Sequence, residues 1–307
     1  MRVRSLAKIN LDLRVLHKRP DGFHELRTIF QTISLADTID IEYLRGRTRI
    51  ELNSNLNIPG NLILRAADSV MKAAKAGGRL RFDLFKRIPL GSGLGGGSSN
   101  AAAVLLALPV VLGKRIQFET LLELAAELGS DVPFFLTGGT ALGIARGAEV
   151  YPLGDAPSRP GLLIAPGIHS STAAAYQALQ RKAAPEGSGD RINEFQAVAG
   201  DMASEWTNDF EAVVFGQHPQ LKSIKEKLLK LGAWRAMMSG SGSALFGLFP
   251  NRNLRDRAAD WFQREFSSYQ VSPFAMVTRG RYQALWRRQL EVSPGNRTWP
   301  PHDRYGR

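Results

Sequence analysis

Ala7, Ile9, Leu11, Leu13 and Val15 alternate with Lys8, Asn10, Asp12 and Arg14. This period-two pattern predicts a first strand with one apolar and one polar face, and it puts Lys8 and Asn10 on the same side. Arg19-Pro20-Asp21-Gly22 then reads as a turn, since proline suits its second position and glycine its later ones. A second strand follows over Leu26 to Ile33, with further strands over Thr38 to Tyr43, Arg49 to Leu52 and Leu80 to Leu84. Helical composition begins at Asn61, which can cap the helix, and runs to about Ala76 before Gly77-Gly78. A second helix starts near Ala101, where Pro109 predicts a kink or a stop before Val110. Gln117 to Leu128 is amphipathic and ends at Gly129.

In the second half, Ala141 to Glu149 reads as a strand, a glycine turn and a return strand. Leu162 to Gly167 reads as a buried strand and turn, and Ser171 or Thr172 caps a helix running through Tyr176. Ala184 to Asp190 has the composition of a flexible linker. Helices are expected from His218 to Gly232 and over Leu254 to Phe266, with an edge strand at Val271 to Ala275. Met238 to Phe246 holds a second glycine-rich turn between apolar stretches, by itself a hairpin. From Gly280 onward arginines and prolines outnumber apolar residues, which predicts a disordered or surface-draped tail.

The stretch with chemistry in it is 89–103, Pro-Leu-Gly-Ser-Gly-Leu-Gly-Gly-Gly-Ser-Ser-Asn-Ala-Ala-Ala. It joins a strand to a helix through residues that lack a Cβ, so backbone can approach a ligand closely. Ser98, Ser99 or Asn100 can cap that helix, whose first amides and positive dipole end suit a phosphate. A plain tight connection is the competing reading, because Gly and Ser also dominate linkers.

Composition narrows the partners. The chain carries 40 Lys and Arg against 28 Asp and Glu, a net charge of +12. Such a balance raises nucleic acid as a partner, but the basic residues are scattered and a protein that takes any anionic ligand gains from the same field. With no cysteine, disulfides, thiolate metal sites and cysteine nucleophiles are excluded. Met1 runs almost directly into the first strand and no apolar stretch approaches the ~18 residues of a membrane span, so a cytoplasmic protein is expected.

The run Pro89 to Ala103 resembles the phosphate loop of the GHMP kinase superfamily, which includes galactokinase, homoserine kinase and mevalonate kinase. The triple glycine before Ser98-Ser99-Asn100 is most similar to the branch whose substrate is a cytidine diphosphate-linked methylerythritol. Ala7-Lys8-Ile9-Asn10-Leu11 resembles that branch's first signature, and Gly129-Ser130-Asp131-Val132-Pro133 the segment that carries its catalytic base. A lysine beside that aspartate makes chemical sense, since an ammonium favours an ionised carboxylate. Arg19 to Leu26 resembles the segment that holds cytosine, with Phe23 where a tyrosine is usual. Ala148 stands where the branch has a glycine, a looser match.

The resemblance implies an α+β, two-domain GHMP kinase fold: a mixed-sheet N-terminal domain over 1–155, a ferredoxin-like C-terminal domain over 156–280, and a basic tail over 281–307. It implies ATP and Mg²⁺ as cofactors, with Lys8 and Asp131 catalytic. ATP would be held by Pro89, Gly91, Gly93, Leu94, Gly95, Gly96, Gly97, Ser98 and Ser99, with Asn61 near the adenine. The substrate would meet Asn10, Phe23, His24, Tyr176 and Gly240, and Ser99 would position the metal. A monomer or weak homodimer is expected, with no membrane or nucleic-acid partner. A GHMP kinase for another small alcohol such as homoserine or mevalonate, and a non-catalytic basic RNA-binding protein, are the alternatives.

Overall fold

The computed structural model describes residues 1–19, 22, 24–168, 170–179, 206–291 and 299–300. Pro20, Asp21, Phe23 and the expected linker 184–190 therefore lie outside the described residues. The first sheet is built on two long strands, β1 (Arg2–Lys18) and β2 (His24–Leu44), paired antiparallel along most of their length. Two stretches expected as separate strands, Leu26 to Ile33 and Thr38 to Tyr43, are one continuous β2. Its first half pairs with β5 (Thr140–Ala145) and its second half with β4 (Arg79–Phe85). β3 (Arg49–Ser54) adds to β4 in parallel, and β6 (Glu149–Pro152) adds to β5.

Helices α1 (Leu62–Ala73), α2 (Gly96–Leu112) and α3 (Phe118–Leu128) share one apolar cluster with the strands. The Asn61 side chain caps α1 by accepting from the Ile63 N–H at 3.0 Å. α2 is apolar on every side, and residues 99 to 110 are all buried. That burial carries it past Pro109 to Leu112, so the expected early stop does not occur. Only the hydrogen bond that the proline nitrogen cannot donate is lost. After the short α4 (Phe134–Thr137), the chain enters β5.

The second sheet has the order β10 (Gln270–Ala275), β7 (Pro160–Ala165), β9 (Leu245–Leu248), β8 (Arg235–Met238), with every neighbour antiparallel. Helices α5 (Thr172–Leu179), α6 (Phe210–Gln217) and α7 (Pro219–Lys230) lie between β7 and β8, and α8 (Arg252–Glu265) between β9 and β10. A β-α-β-β-α-β order with the last strand beside the first is the ferredoxin-like arrangement. One core cluster contains Ile9, Ile29 and Leu94 of the first half together with Leu163, Phe246 and Phe274 of the second.

The C-terminal expectation needs correction. Arg279–Gln289 forms α9, with Tyr282 and Trp286 each 1% exposed within the first half's core. The Tyr282 hydroxyl donates to the Phe135 carbonyl beside α4. The arginines mask this pattern in sequence, because two aromatics four residues apart form one buried stripe on an otherwise polar helix. Trp286→Ala is expected to destabilise the fold by about 3–5 kcal/mol, as for other large core truncations, read as a lowered urea midpoint.

Candidate active site

The polar face of β1 is not solvated: Lys8, Asn10 and Asp12 are at most 5% exposed. Lys8 and Asn10 line a cleft of about 970 Å³ between the two sheets, shared with Thr28, Gly93, Gly95, Asp131, Gly240, His24 and Tyr176. Lys8 is held by its surroundings. Its backbone N–H donates to the Leu94 carbonyl at 3.1 Å, which ties β1 to the glycine loop. Its Nζ donates to Asn10 Oδ1 at 2.7 Å, lies 3.4 Å from Asp131 Oδ2 and sits 5.4 Å from the centre of the Phe30 ring. The Asp131 side chain is 32% exposed and the Lys8 side chain 4%, so the carboxylate stands at the open side of the pair and the ammonium at its buried side.

The glycine loop departs from expectation in how it starts its helix. Gly95, with φ of +66°, is the N-cap of α2, and no side chain caps it. Ser98, Ser99 and Asn100 lie inside the first turns instead. Amides at the start of a helix have no intrahelical acceptor, so they are donors in search of an anion. Leu94 is 1% exposed and belongs to the core, so only its backbone belongs to the loop's ligand face. Ser99 is also corrected: its hydroxyl is 2% exposed and donates to the Leu6 carbonyl at 2.6 Å, tying α2 to β1. Ser99 is not among the residues that line the cleft. Ser98, next to it, is half-buried.

The second glycine turn packs on the first. The Ser239 hydroxyl donates to the Gly93 carbonyl at 3.0 Å, and a Cβ on Gly240 would lie 3.1 Å from the Gly93 Cα. Asn208 fixes that turn by donating to the carbonyls of Met238 and Gly240, both at 2.8 Å. Pro89, Gly91, Gly96, Gly97, Ser98 and Asn61 do not line this cleft.

Toward the cleft's other end, the His24 imidazole stacks on Tyr176 with centroids 5.0 Å apart and planes within 17°. The Tyr176 ring meets Phe210 edge-on at 4.9 Å. The ring face that the resemblance assigns to cytosine is thus covered by an imidazole. Burial, helped by the Lys18 charge, holds His24 below its ordinary histidine value.

Sequence reasoning missed Lys86 and Asp37. The Lys86 ammonium pairs with Asp37 Oδ2 at 2.5 Å with both side chains buried, and a Cβ on Gly96 would fall 2.6 Å from Lys86 Nζ. Asp37 Oδ1 also accepts from the N–H groups of Arg87 and Ile88 at 2.7 and 2.8 Å, pinning the approach to the loop. Burial pulls the Lys86 ammonium below its ordinary value, against the pull of Asp37. Its charge is offset by Asp37, so the pair acts on the first residue of α2 by packing and by fixing the approach to the loop. Only the sheet brings these two residues together across 49 positions, and no local motif announces them.

The chain is similar to known proteins over both halves. The family model of the GHMP kinases N terminal domain matches residues 61–139, and that of the GHMP kinases C terminal matches 177–268. A 4-diphosphocytidyl-2-C-methyl-D-erythritol kinase of Solibacter usitatus is 54% identical, covering 99% of this chain and 97% of its own. A kinase of the same name from Geobacter sp. strain M21 is 39% identical over 82% of this chain and 91% of its own. A crystal structure of 4-(cytidine 5'-diphospho)-2C-methyl-D-erythritol kinase superposes with a TM-score of 0.75 at 35% identity, over 90% of this chain and 99% of that one. Homoserine kinase from Cytophaga hutchinsonii, at a TM-score of 0.64 and 18% identity over 90% of this chain and 95% of its own, shares the fold. The mixed first sheet, the ferredoxin-like second sheet and these relatives agree: the chain belongs to the 4-diphosphocytidyl-2-C-methyl-D-erythritol kinase family of the GHMP kinases.

Proposed function

We propose that this protein transfers the γ-phosphoryl group of ATP to the 2-hydroxyl of 4-diphosphocytidyl-2-C-methyl-D-erythritol, a step of isoprenoid precursor synthesis by the non-mevalonate route. The observation that carries the reading is the carboxylate of Asp131 at 3.4 Å from the buried Lys8 ammonium, in a cleft shared with Gly93 and Gly95. Phosphoryl transfer relies on positioning and charge neutralisation more than on covalent chemistry. Asp131 takes the proton of the attacking hydroxyl, and Lys8 offsets the charge that gathers between acceptor and phosphate. The triphosphate rests on the amides of Gly93 to Ser98. Its nucleoside lies toward Asn61, in the unit formed by 1–155, and the acceptor lies between that unit and 156–280.

The donor set fits Mg²⁺ brought in on the triphosphate. Such an ion keeps several waters and takes one or two protein oxygens besides phosphate. At the loop itself the half-buried Ser98 hydroxyl would supply an oxygen of that kind, and the ion would neutralise charge on the phosphates. The substrate's cytosine belongs beside His24 and Tyr176, the imidazole giving up its place on the Tyr176 ring to the base and meeting its polar edge; Asn10 and Gly240 face its polyol. Phe23 belongs to the same segment by sequence. A cytoplasmic location follows from the small-molecule reaction.

The deciding experiment is turnover with ATP and the cytidyl substrate against homoserine and mevalonate. Preference for an acceptor without cytidine overturns the substrate assignment. His24→Ala is expected to raise KM for the cytidyl substrate roughly tenfold, as for loss of one good hydrogen bond with stacking, while KM for ATP stays put. Because His24 is held below its ordinary value, its charging is displaced to lower pH than that of an ordinary histidine. KM for the cytidyl substrate is therefore expected to rise on acidification at a lower pH than an ordinary histidine would dictate, and the rise disappears in His24→Ala.

A further inference from the structure

A buried polar chain runs from Lys8 back into the sheet. Lys8 Nζ donates to Asn10 Oδ1 at 2.7 Å, Asn10 Nδ2 donates to Thr28 Oγ1 at 2.7 Å, and Thr28 Oγ1 donates to the backbone carbonyl of Asp12 at 2.7 Å. The direction of each bond is dictated from the backbone end. A carbonyl can only accept, so the single hydroxyl proton of Thr28 goes to Asp12. Toward Asn10 the hydroxyl can then only accept, which requires the amide NH₂ on that side. The amide oxygen is left facing Lys8. An amide turned over would aim N–H donors at an ammonium, and its oxygen at a hydroxyl with no proton left to give.

The sheet is shaped to place that hydroxyl. The pairing of β1 with β2 slips between Asn10↔Phe30 and Asp12↔Ile29, so Leu11 is an extra residue and the strand is re-aimed there. Thr28 is 2% exposed and pairs with Gly143 on β5. A Cβ on Gly143 would lie 3.0 Å from Thr28 Cγ2 and 2.5 Å from the Phe30 ring, so glycine there leaves room for the threonine methyl. A β-branched side chain seated in this way keeps one χ1 rotamer.

We propose that Thr28 is a positioning residue for phosphoryl transfer: through Asn10, its hydroxyl sets the amide orientation that holds the Lys8 ammonium beside Asp131. The inference rests on the reading of Lys8 and Asp131 as the catalytic pair. Thr28→Val keeps the shape and removes the hydroxyl, so the amide is released and the ammonium loses its fixed acceptor. Thr28→Ser keeps the hydroxyl.

The test is steady-state kinetics of the full-length protein with ATP and the cytidyl substrate, for Thr28→Val, Thr28→Ser, Asn10→Ala and the double variant. Thr28→Val is expected to lower kcat roughly 10- to 100-fold, the cost of a misplaced catalytic group. KM for ATP is expected to stay within about threefold, since uniform binding is untouched. Thr28→Ser recovers kcat to within about threefold of the parent, because the donor and acceptor are restored. In the Asn10→Ala background the valine adds less than about twofold, because its route to Lys8 is already gone. Full activity of Thr28→Val, or the same fold-loss in both backgrounds, overturns the proposal. Failure of both Thr28→Val and Thr28→Ala to fold also overturns it, by assigning the hydroxyl to folding alone. Asp131→Asn measured alongside separates the two readings. If it keeps turnover, the catalytic pair is wrong; if it is inactive while Thr28→Val is fully active, only the positioning role is wrong.

Discussion

Asp131→Asn is expected to lower kcat by about 10²- to 10⁴-fold, the range supplied by a positioned general base. The substitution keeps the size of the side chain and one oxygen facing Lys8, and removes the capacity to take a proton. The site is built so that the loss stays local. Asp131 follows the end of α3 at Gly129 and precedes Pro133 and α4, and it is about one-third exposed to the cleft, so little packing depends on it. The triphosphate is assigned to backbone amides, which the substitution leaves alone. Nucleotide affinity, read by titration calorimetry, is therefore expected to change by less than about threefold, since no binding contact shared by ground and transition states is removed. Parent-like turnover by the asparagine variant would remove Asp131 from the chemistry.

The second large effect is expected at Gly93. Its φ is +76°, and a Cβ there would lie 2.0 Å from the Ser239 carbonyl oxygen and 2.8 Å from its carbonyl carbon. Both are backbone atoms, so no side chain can swing aside. Gly93→Ala therefore forces the two glycine turns apart and breaks the bond from Ser239 Oγ to the Gly93 carbonyl. Left-handed backbone costs about 1–2 kcal/mol for a residue with a Cβ, and inserting volume into packed structure adds about 1–3 kcal/mol. The expected result is a clearly lowered thermal midpoint and a KM for ATP raised at least about tenfold, because the amides no longer converge. Gly113→Ala is the control, since Gly113 has a φ of +63° with nothing within 4 Å of its Cβ position. It carries the backbone strain without the collision, so it is expected to cost stability and leave KM for ATP unchanged. Equal effects of the two alanines on KM would show that the turns need not touch.

Much of the candidate site was legible because its parts are local. The glycine run, Ala7 to Leu11, and Ser130-Asp131-Val132 each carry their signal within a few residues. The strand and helix periods placed them on the right elements, because alternation and helix caps are also local. The misreadings have physical causes of the same kind. Pro109 looked like a helix end, but burial of α2 outweighs one lost hydrogen bond. Arg281, Arg287 and Arg288 looked like a solvated tail, but Tyr282 and Trp286 bury one stripe of the same helix. Ser99 looked like a ligand residue by its place in a motif, yet helix geometry turns its hydroxyl to Leu6.

By itself, the order of residues determined the strand and helix pattern, the anion-seeking glycine turn and the family to which the chain belongs. These depend on neighbours a few positions apart, where backbone geometry and side-chain period act directly. Tertiary structure alone decided which polar groups are buried and what each one faces. Lys86 meets Asp37 and approaches Gly96 only through the sheet, Thr28 orients Asn10 only because β1 slips register at Leu11, and His24 reaches Tyr176 only across the cleft. Partners of that sort are chosen by strand pairing and packing over long separations, and a buried donor or acceptor must then take whatever partner the fold brings to it.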